Sequence, residues 1–170
     1  MRQMKFGFAC EGAKEFGGSL SLGKRKTKRP LSIKKPLFLT LKSSKASFFN
    51  PKMISLEKTI KDHAKKYQMT VYQFALNWNH IHFAIKVSSR ENYVAFIRTL
   101  TASLVRILSK IKGRNLKGLF DLRPHTKIIT WGKQFRILIE YIILNQQEAL
   151  GLIRRAKATA AGEKRRAAPV

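Results

Sequence analysis

Val71-Tyr72-Gln73-Phe74-Ala75-Leu76-Asn77-Trp78-Asn79-His80-Ile81-His82-Phe83-Ala84-Ile85-Lys86-Val87 is the stretch on which the fold turns. It reads as two strands, 71–78 and 80–87, joined at Asn77-Trp78-Asn79 so closely that an antiparallel hairpin is the natural connection. Side chains alternate along a strand. His80, His82, Ala84 and Lys86 therefore share one face of the second strand, and Ile81, Phe83, Ile85 and Val87 line the other. The apolar set belongs to a core. Both imidazoles then point into whatever covers the second face of the sheet.

Working outward, Leu37, Leu39 and Leu41 alternate with Phe38, Thr40 and Lys42, the period of two that predicts another strand. Asn50-Pro51 predicts a helix start, because Asn caps well and Pro suits the first turn. Met53, Ile60, Ala64 and Tyr67 form its inward stripe. Downstream, Tyr93, Ile97, Leu100, Leu104, Ile107 or Leu108, and Ile111 recur at three and four, predicting a helix over 91–112 that Gly113 ends. After a loop containing Gly118, Arg123 and Pro124, residues 127–131 read as a strand and 134–148 as a last helix stopping near Gly151. The order strand, helix, strand, strand, helix, strand, helix is a split βαβ plan. It predicts an α+β, ferredoxin- or RRM-like fold with an antiparallel sheet of four to five strands covered by helices. There is no internal repeat.

The 170 residues carry 35 Lys and Arg against 9 Asp and Glu, a net charge of +26. So broad an excess draws the protein to polyanions, with nucleic acid the default partner. Basic residues scattered through the chain, instead of lying on one amphipathic helix, argue against a membrane surface. Cys10 is the lone cysteine, which excludes an internal disulfide framework and a cysteine-rich zinc module. No apolar run approaches the ~18 residues of a spanning helix, and Phe6–Cys10 falls short of a signal core. These features predict a cytoplasmic protein. Residues 1–29 are glycine-rich and end in Lys24-Arg25-Lys26-Thr27-Lys28-Arg29. With no apolar period to offset ordering, they read as a flexible basic arm. Lys24, Arg25, Lys26, Lys28 and Arg29 are candidate phosphate contacts, or simply a solvated or localising run. Residues 154–170 read as a second basic tail, leaving 30–153 as the folded domain.

Two imidazoles at i and i+2 can meet a single ion, and can equally be ordinary polar residues on a partly exposed face. Tyr141 and Asn145, four apart, stack on one face of the last helix. The Asn145 amide oxygen is a candidate third ligand, and Tyr141 then sits one turn from the ion. Gln146 is the competing ligand. Tyr141 also suits a core position beside Leu138, Ile142 and Leu144. His63 fits the inner side of the first helix, and His125 falls in a loop. Lys86, on the histidine face, is a further candidate phosphate contact.

Asn79-His80-Ile81-His82-Phe83-Ala84-Ile85 resembles the Asn-His-hydrophobic-His strand of the single-tyrosine HUH transposases, especially the REP-associated tyrosine transposases and their insertion-sequence relatives. Tyr141-Ile142-Ile143-Leu144-Asn145 resembles the Tyr-Ile-x-x-Asn helix of that family. Arg29-Pro30-Leu31-Ser32, Trp131-Gly132-Lys133 and Glu148-Ala149-Leu150-Gly151 are also similar, so the likeness spans 29–153. Gln146 departs from it, since many relatives have proline there. The resemblance implies a bacterial protein, nucleoid-associated when bound to DNA. It also implies a divalent ion, Mg²⁺ or Mn²⁺, held by His80, His82 and Asn145 beside a scissile phosphate of single-stranded or hairpin DNA. The same resemblance implies that Tyr141 attacks in line, leaving a 5′-phosphotyrosine and a free 3′-hydroxyl. A phenol of pKa ~10 needs a neighbouring cation or base to become a useful nucleophile at neutral pH. Because the phosphoester energy stays in the covalent link, no ATP is required. One tyrosine holds one strand end, so a homodimer would supply the two sites that excision and insertion favour.

A non-catalytic RNA- or hairpin-DNA-binding protein is the alternative, since a small basic split βαβ domain is also what an RNA-binding module looks like. Such a sheet should expose aromatics that stack bases, and Phe38 is the best-placed candidate.

Overall fold

The structure is a computed structural model and describes residues 15–25, 27–43, 49–50, 52–120 and 122–154. Its elements run β1 (Glu15–Phe16), β2 (Leu37–Lys42), α1 (Ile54–Lys66), β3 (Thr70–Leu76), β4 (His80–Lys86), α2 (Arg90–Lys112), β5 (His125–Ile128) and α3 (Lys133–Ala149), with a short 3-10 helix at Gly18–Ser21. The five strands form one sheet in the order β1-β5-β2-β4-β3, antiparallel at every junction. Without β1, this is the strand order that the split βαβ plan requires, and the α+β expectation holds.

The hairpin forms as its sequence indicates. Asn77 N–H donates to the His80 carbonyl at 2.9 Å, and β3 and β4 pair from Leu76 opposite Ile81 to Thr70 opposite Lys86. On one face of the sheet, Leu37, Leu39, Leu41, Ile81, Phe83 and Ile85 meet Leu56 and Ile60 of α1 and Phe96, Leu100, Leu104 and Leu108 of α2. Complete burial of each such side chain is worth roughly 1.5–3 kcal/mol, which makes this layer the main source of stability. On the other face, α3 lays Leu138 and Ile142 against Phe38, Ala75 and Ala84. Two fully buried alanines at the sheet surface let the helix backbone come close.

Several local expectations shift. The first helix begins at Ile54, not at Asn50, because Asn50 Oδ1 accepts from Lys52 N–H at 3.0 Å and so closes a turn ahead of the helix. Pro51 lies outside the described residues. α2 is capped as a helix should be: Ser89 Oγ accepts from Asn92 N–H at 3.1 Å, and Gly113 takes the left-handed φ of 62° that ends it. The last strand is displaced to His125–Ile128, so His125 belongs to a strand and not to a loop. Within the stretch read as an arm, Glu15 and Phe16 pair with Lys127 and Thr126 and give the sheet a fifth strand. Gly17 makes this docking possible. At its φ of 89°, a Cβ would stand 2.0 Å from the Pro124 carbonyl oxygen. Among the described residues, no helix is long and apolar enough to cross a membrane.

Candidate active site

Strand register assembles the site. Thr40 of β2 lies opposite His82 on one side and His125 on the other, and Ala75 of β3 lies opposite His82, so Ala75, His82, Thr40 and His125 form a row across the sheet. Lys42 opposite His80 makes the next row, and α3 closes over the β3–β4 half of this face. Tyr141 is thereby brought to the histidines from 59 residues away: its Oη stands 3.5 Å from His82 Nε2, with ring centroids 5.4 Å apart. The two imidazoles are 4.5 Å apart, centroid to centroid.

Each imidazole is held from its Nδ1 side. His80 Nδ1 donates to Asn79 Oδ1 at 2.7 Å, which fixes its tautomer and leaves the lone pair on Nε2. His82 Nδ1 is 3.1 Å from Thr40 Oγ1, and the ring is 2 % exposed. Holding one nitrogen to orient the other is the arrangement found around metal-binding histidines. Burial, aided by the nearby Lys42 cation, pushes the His80 pKa down to about 4, so the ring is neutral, the state a ligand must be in. Asn145 is also buried, and its Nδ2 donates to the Tyr141 carbonyl at 2.6 Å. This bond ties the amide to the turn that carries the phenol. Gln146 is directed elsewhere, its Oε1 accepting from Leu76 N–H of β3 at 2.8 Å, so it clamps α3 to the sheet.

Among the described residues, no three His, Cys, Asp or Glu side chains gather as a metal-binding group. A cation here would rest on two imidazoles, an amide oxygen and oxygens of the substrate. Two imidazoles with oxygen donors fit Mn²⁺ better than an all-protein Mg²⁺ cage, since Mg²⁺ prefers oxygen throughout.

Phe38 does not serve as a stacking platform. It is 6 % exposed and packs against His82, His125 and Tyr141, at ring distances of 5.3, 6.4 and 6.2 Å. α3 covers the face on which an RNA-binding sheet would display its aromatics. Thr40, Phe38 and His125 are site-wall residues that the sequence reading did not single out as such. The alternation of β2 carried the signal for the first two, and for His125 only strand pairing places it. His63 is a packing residue, with Nδ1 2.8 Å from the Thr59 carbonyl and Nε2 3.2 Å from Ser103 Oγ of α2. Lys86 ends β4 opposite Thr70, half-buried. Of the basic run, Lys24, Arg25 and Lys28 are exposed, Arg29 is half-buried, and Lys26 lies outside the described residues.

A family model described as "Transposase IS200 like" matches residues 32–139, more than half of the chain. The matched stretch runs from the approach to β2 into α3, takes in His80 and His82, and stops two residues before Tyr141. No curated protein matches the chain.

Proposed function

The chain belongs to the IS200-like transposase family, and from that premise we propose that it is a single-tyrosine enzyme that cuts and rejoins single-stranded DNA at hairpin-associated sites. Transposition and a DNA partner come with the family. The tyrosine, the ligands and the hairpin are our reading. The observation that carries it is the approach of Tyr141 Oη to His82 Nε2 at 3.5 Å, two groups that only the tertiary fold could unite.

In this reading, Tyr141 Oη attacks the scissile phosphorus and loses its proton to solvent. The bond from phosphorus to the departing 3′-oxygen breaks and that oxygen takes up a proton from solvent, giving a 5′-phosphotyrosine and a free 3′-hydroxyl. Attack by another 3′-hydroxyl reverses the step, re-forming a phosphodiester and releasing the phenol. His80 and His82, through Nε2, and Asn145, through its amide oxygen, would hold a divalent cation, Mn²⁺ or Mg²⁺. When bound, such an ion offsets charge on the phosphate oxygens and favours phenolate. Thr40 and Asn79 keep the imidazoles oriented, and Gln146 fixes the height of α3 over the sheet. Lys42, Lys86 and the exposed Lys24, Arg25 and Lys28 provide the positive field that brings the strand in.

Incubation with end-labelled hairpin DNA and Mn²⁺ followed by denaturing electrophoresis tests this. A covalent protein–DNA band is expected, absent in Tyr141→Phe. His80→Ala is expected to lose the band while still binding DNA. Undiminished cleavage by Tyr141→Phe would refute the nucleophile.

A further inference from the structure

Away from the tyrosine site, the described residues gather several arginines with no carboxylate in ion-pair contact. Arg29 is half-buried; its Nη1 donates to Thr126 Oγ1 at 2.6 Å and to the Phe16 carbonyl at 3.5 Å, and its guanidinium lies 4.5 Å from the Phe16 ring centroid and 5.9 Å from that of Tyr93. Arg90 Nη2 donates to the Arg29 carbonyl at 2.8 Å. Burial pushes the Arg29 pKa down, the neighbouring Tyr93 partly offsets this, and the like charges of Arg123 and Arg90 push it down further. Among the described residues, none of Arg29, Arg90, Arg98 and Arg123 has a carboxylate within ion-pair distance. Glu91, next to Arg90 in sequence, is exposed; its pKa is lowered chiefly by hydrogen bonds to its own backbone and Ser89, with smaller contributions from the Arg90 and Lys28 charges.

Beside Arg29 lies a cavity of about 240 Å³, lined by Arg29, Tyr93, Val94, Ile97, Arg98 and Pro124. Tyr93 is 4 % exposed, and its hydroxyl has no hydrogen-bond partner among the described residues. A buried donor left unpaired is costly, and cations drawn out of water are ordinarily paired. Arg29 and Tyr93 both line this cavity, with the exposed Arg98 beside them, so an anion entering it would meet two guanidinium groups that have no carboxylate partner among the described residues. Burial raises the Tyr93 pKa to about 12, so at neutral pH the phenol is a donor and not a competing anion. The volume is below the ~300–1,000 Å³ of pockets that enclose a drug-sized ligand. A phosphate with its sugar is a better fit than a whole cofactor. Guanidinium forks suit phosphate oxygens, and Val94, Ile97 and Pro124 suit the apolar flank of a deoxyribose.

We propose that this cavity is a second DNA contact, taking one backbone phosphate between Arg29 and Arg98 with the attached sugar against Val94, Ile97 and Pro124. It lies on the α2 side of the sheet, whereas Tyr141 and the histidines lie on the α3 side. A strand that reaches both must pass around the sheet, and the edge beside the cavity is β1, where Arg29 lies over Phe16. The proposal rests on reading the chain as a DNA-processing enzyme, and its test is independent of the covalent band.

Val94 is 46 % exposed, so Val94→Trp fills the cavity without altering charge or core. Hairpin-DNA affinity is read by fluorescence anisotropy across a salt series, with thermal unfolding to verify the fold. Val94→Trp is expected to bind about tenfold more weakly and Val94→Ala within twofold of wild type. Arg98→Ala, at an exposed position, is expected to weaken binding and make the dependence of log affinity on log salt shallower by about 1, the loss of one phosphate contact. A folded Val94→Trp with wild-type affinity overturns the proposal. So does an Arg98→Ala variant with an unchanged slope, which also decides the matter if Val94→Trp does not fold. Loss of affinity in Val94→Trp without any covalent band from wild type would remove the nuclease and keep the contact. A wild-type band with no effect of either substitution would do the reverse.

Discussion

The two faces of the sheet are built on opposite principles. Under α1 and α2, the buried side chains are almost all large and apolar, with Phe83, Phe96, Leu39, Leu100 and Leu104 fully enclosed. Under α3, the apolar set shrinks to Phe38, Ala75, Ala84, Ile129, Leu138 and Ile142, and His82, Thr40 and Asn145 are buried among or beside them. Buried polar groups are tolerated when they are hydrogen-bonded, and these are, Thr40 to His82 and Asn145 to the Tyr141 carbonyl. One face stabilises the molecule. The other gives up apolar burial to hold a phenol, two imidazoles and an amide in fixed relation.

Substitutions should separate the faces. Phe96→Ala empties a fully enclosed site in the large core and is expected to destabilise by about 3–5 kcal/mol, measured by denaturant unfolding, with DNA cleavage by the folded fraction unchanged. Thr40→Val, nearly the same shape, removes the hydroxyl that orients His82. The expected result is a ~10–100-fold loss of Mn²⁺-dependent cleavage, read as a higher metal requirement, with stability altered by only about 1 kcal/mol. If Thr40→Val instead unfolded the protein and spared cleavage, the contrast between the faces would collapse.

A smaller effect concerns alkaline pH. The Tyr93 pKa is raised to about 12 by burial, so the neutral phenol is favoured in the folded state. This stability is complete below the unfolded-state value of about 10 and is lost as pH rises through the folded value. Between pH 10 and 12, wild type should lose stability faster than Tyr93→Phe, by about 1.4 kcal/mol for each unit in that window. Parallel unfolding curves for the two proteins over that range would contradict a buried, neutral Tyr93.

What could be read in advance follows from which structures are local. The alternation of β4 has a strict period of two, so the shared face of His80 and His82 was legible, as were the long apolar periods of α2 and the four-residue spacing of Tyr141 and Asn145. β1 was not legible, because two residues carry no period. It exists through pairing with β5 and through Gly17 fitting against Pro124. The position of β5 was missed for the same reason: pairing with β2 and β1, more than its own composition, sets its limits at His125 and Ile128. Phe38 was placed on the correct face with the wrong exposure, since alternation assigns a face but does not say how far α3 reaches across it. Of the arginine cluster beside Tyr93, only Arg29 was marked in the sequence, as part of the basic run; its grouping with residues at positions 90, 98 and 123 left no local signal.

Mass spectrometry of the protease-digested covalent complex tests the central claim most directly. After reaction with hairpin DNA and Mn²⁺, the nucleotide mass is expected on the peptide that contains Tyr141, linked through a 5′-phosphate. A nucleotide on Tyr72 or Tyr67 instead, or no adduct from a folded, DNA-binding protein, would contradict it.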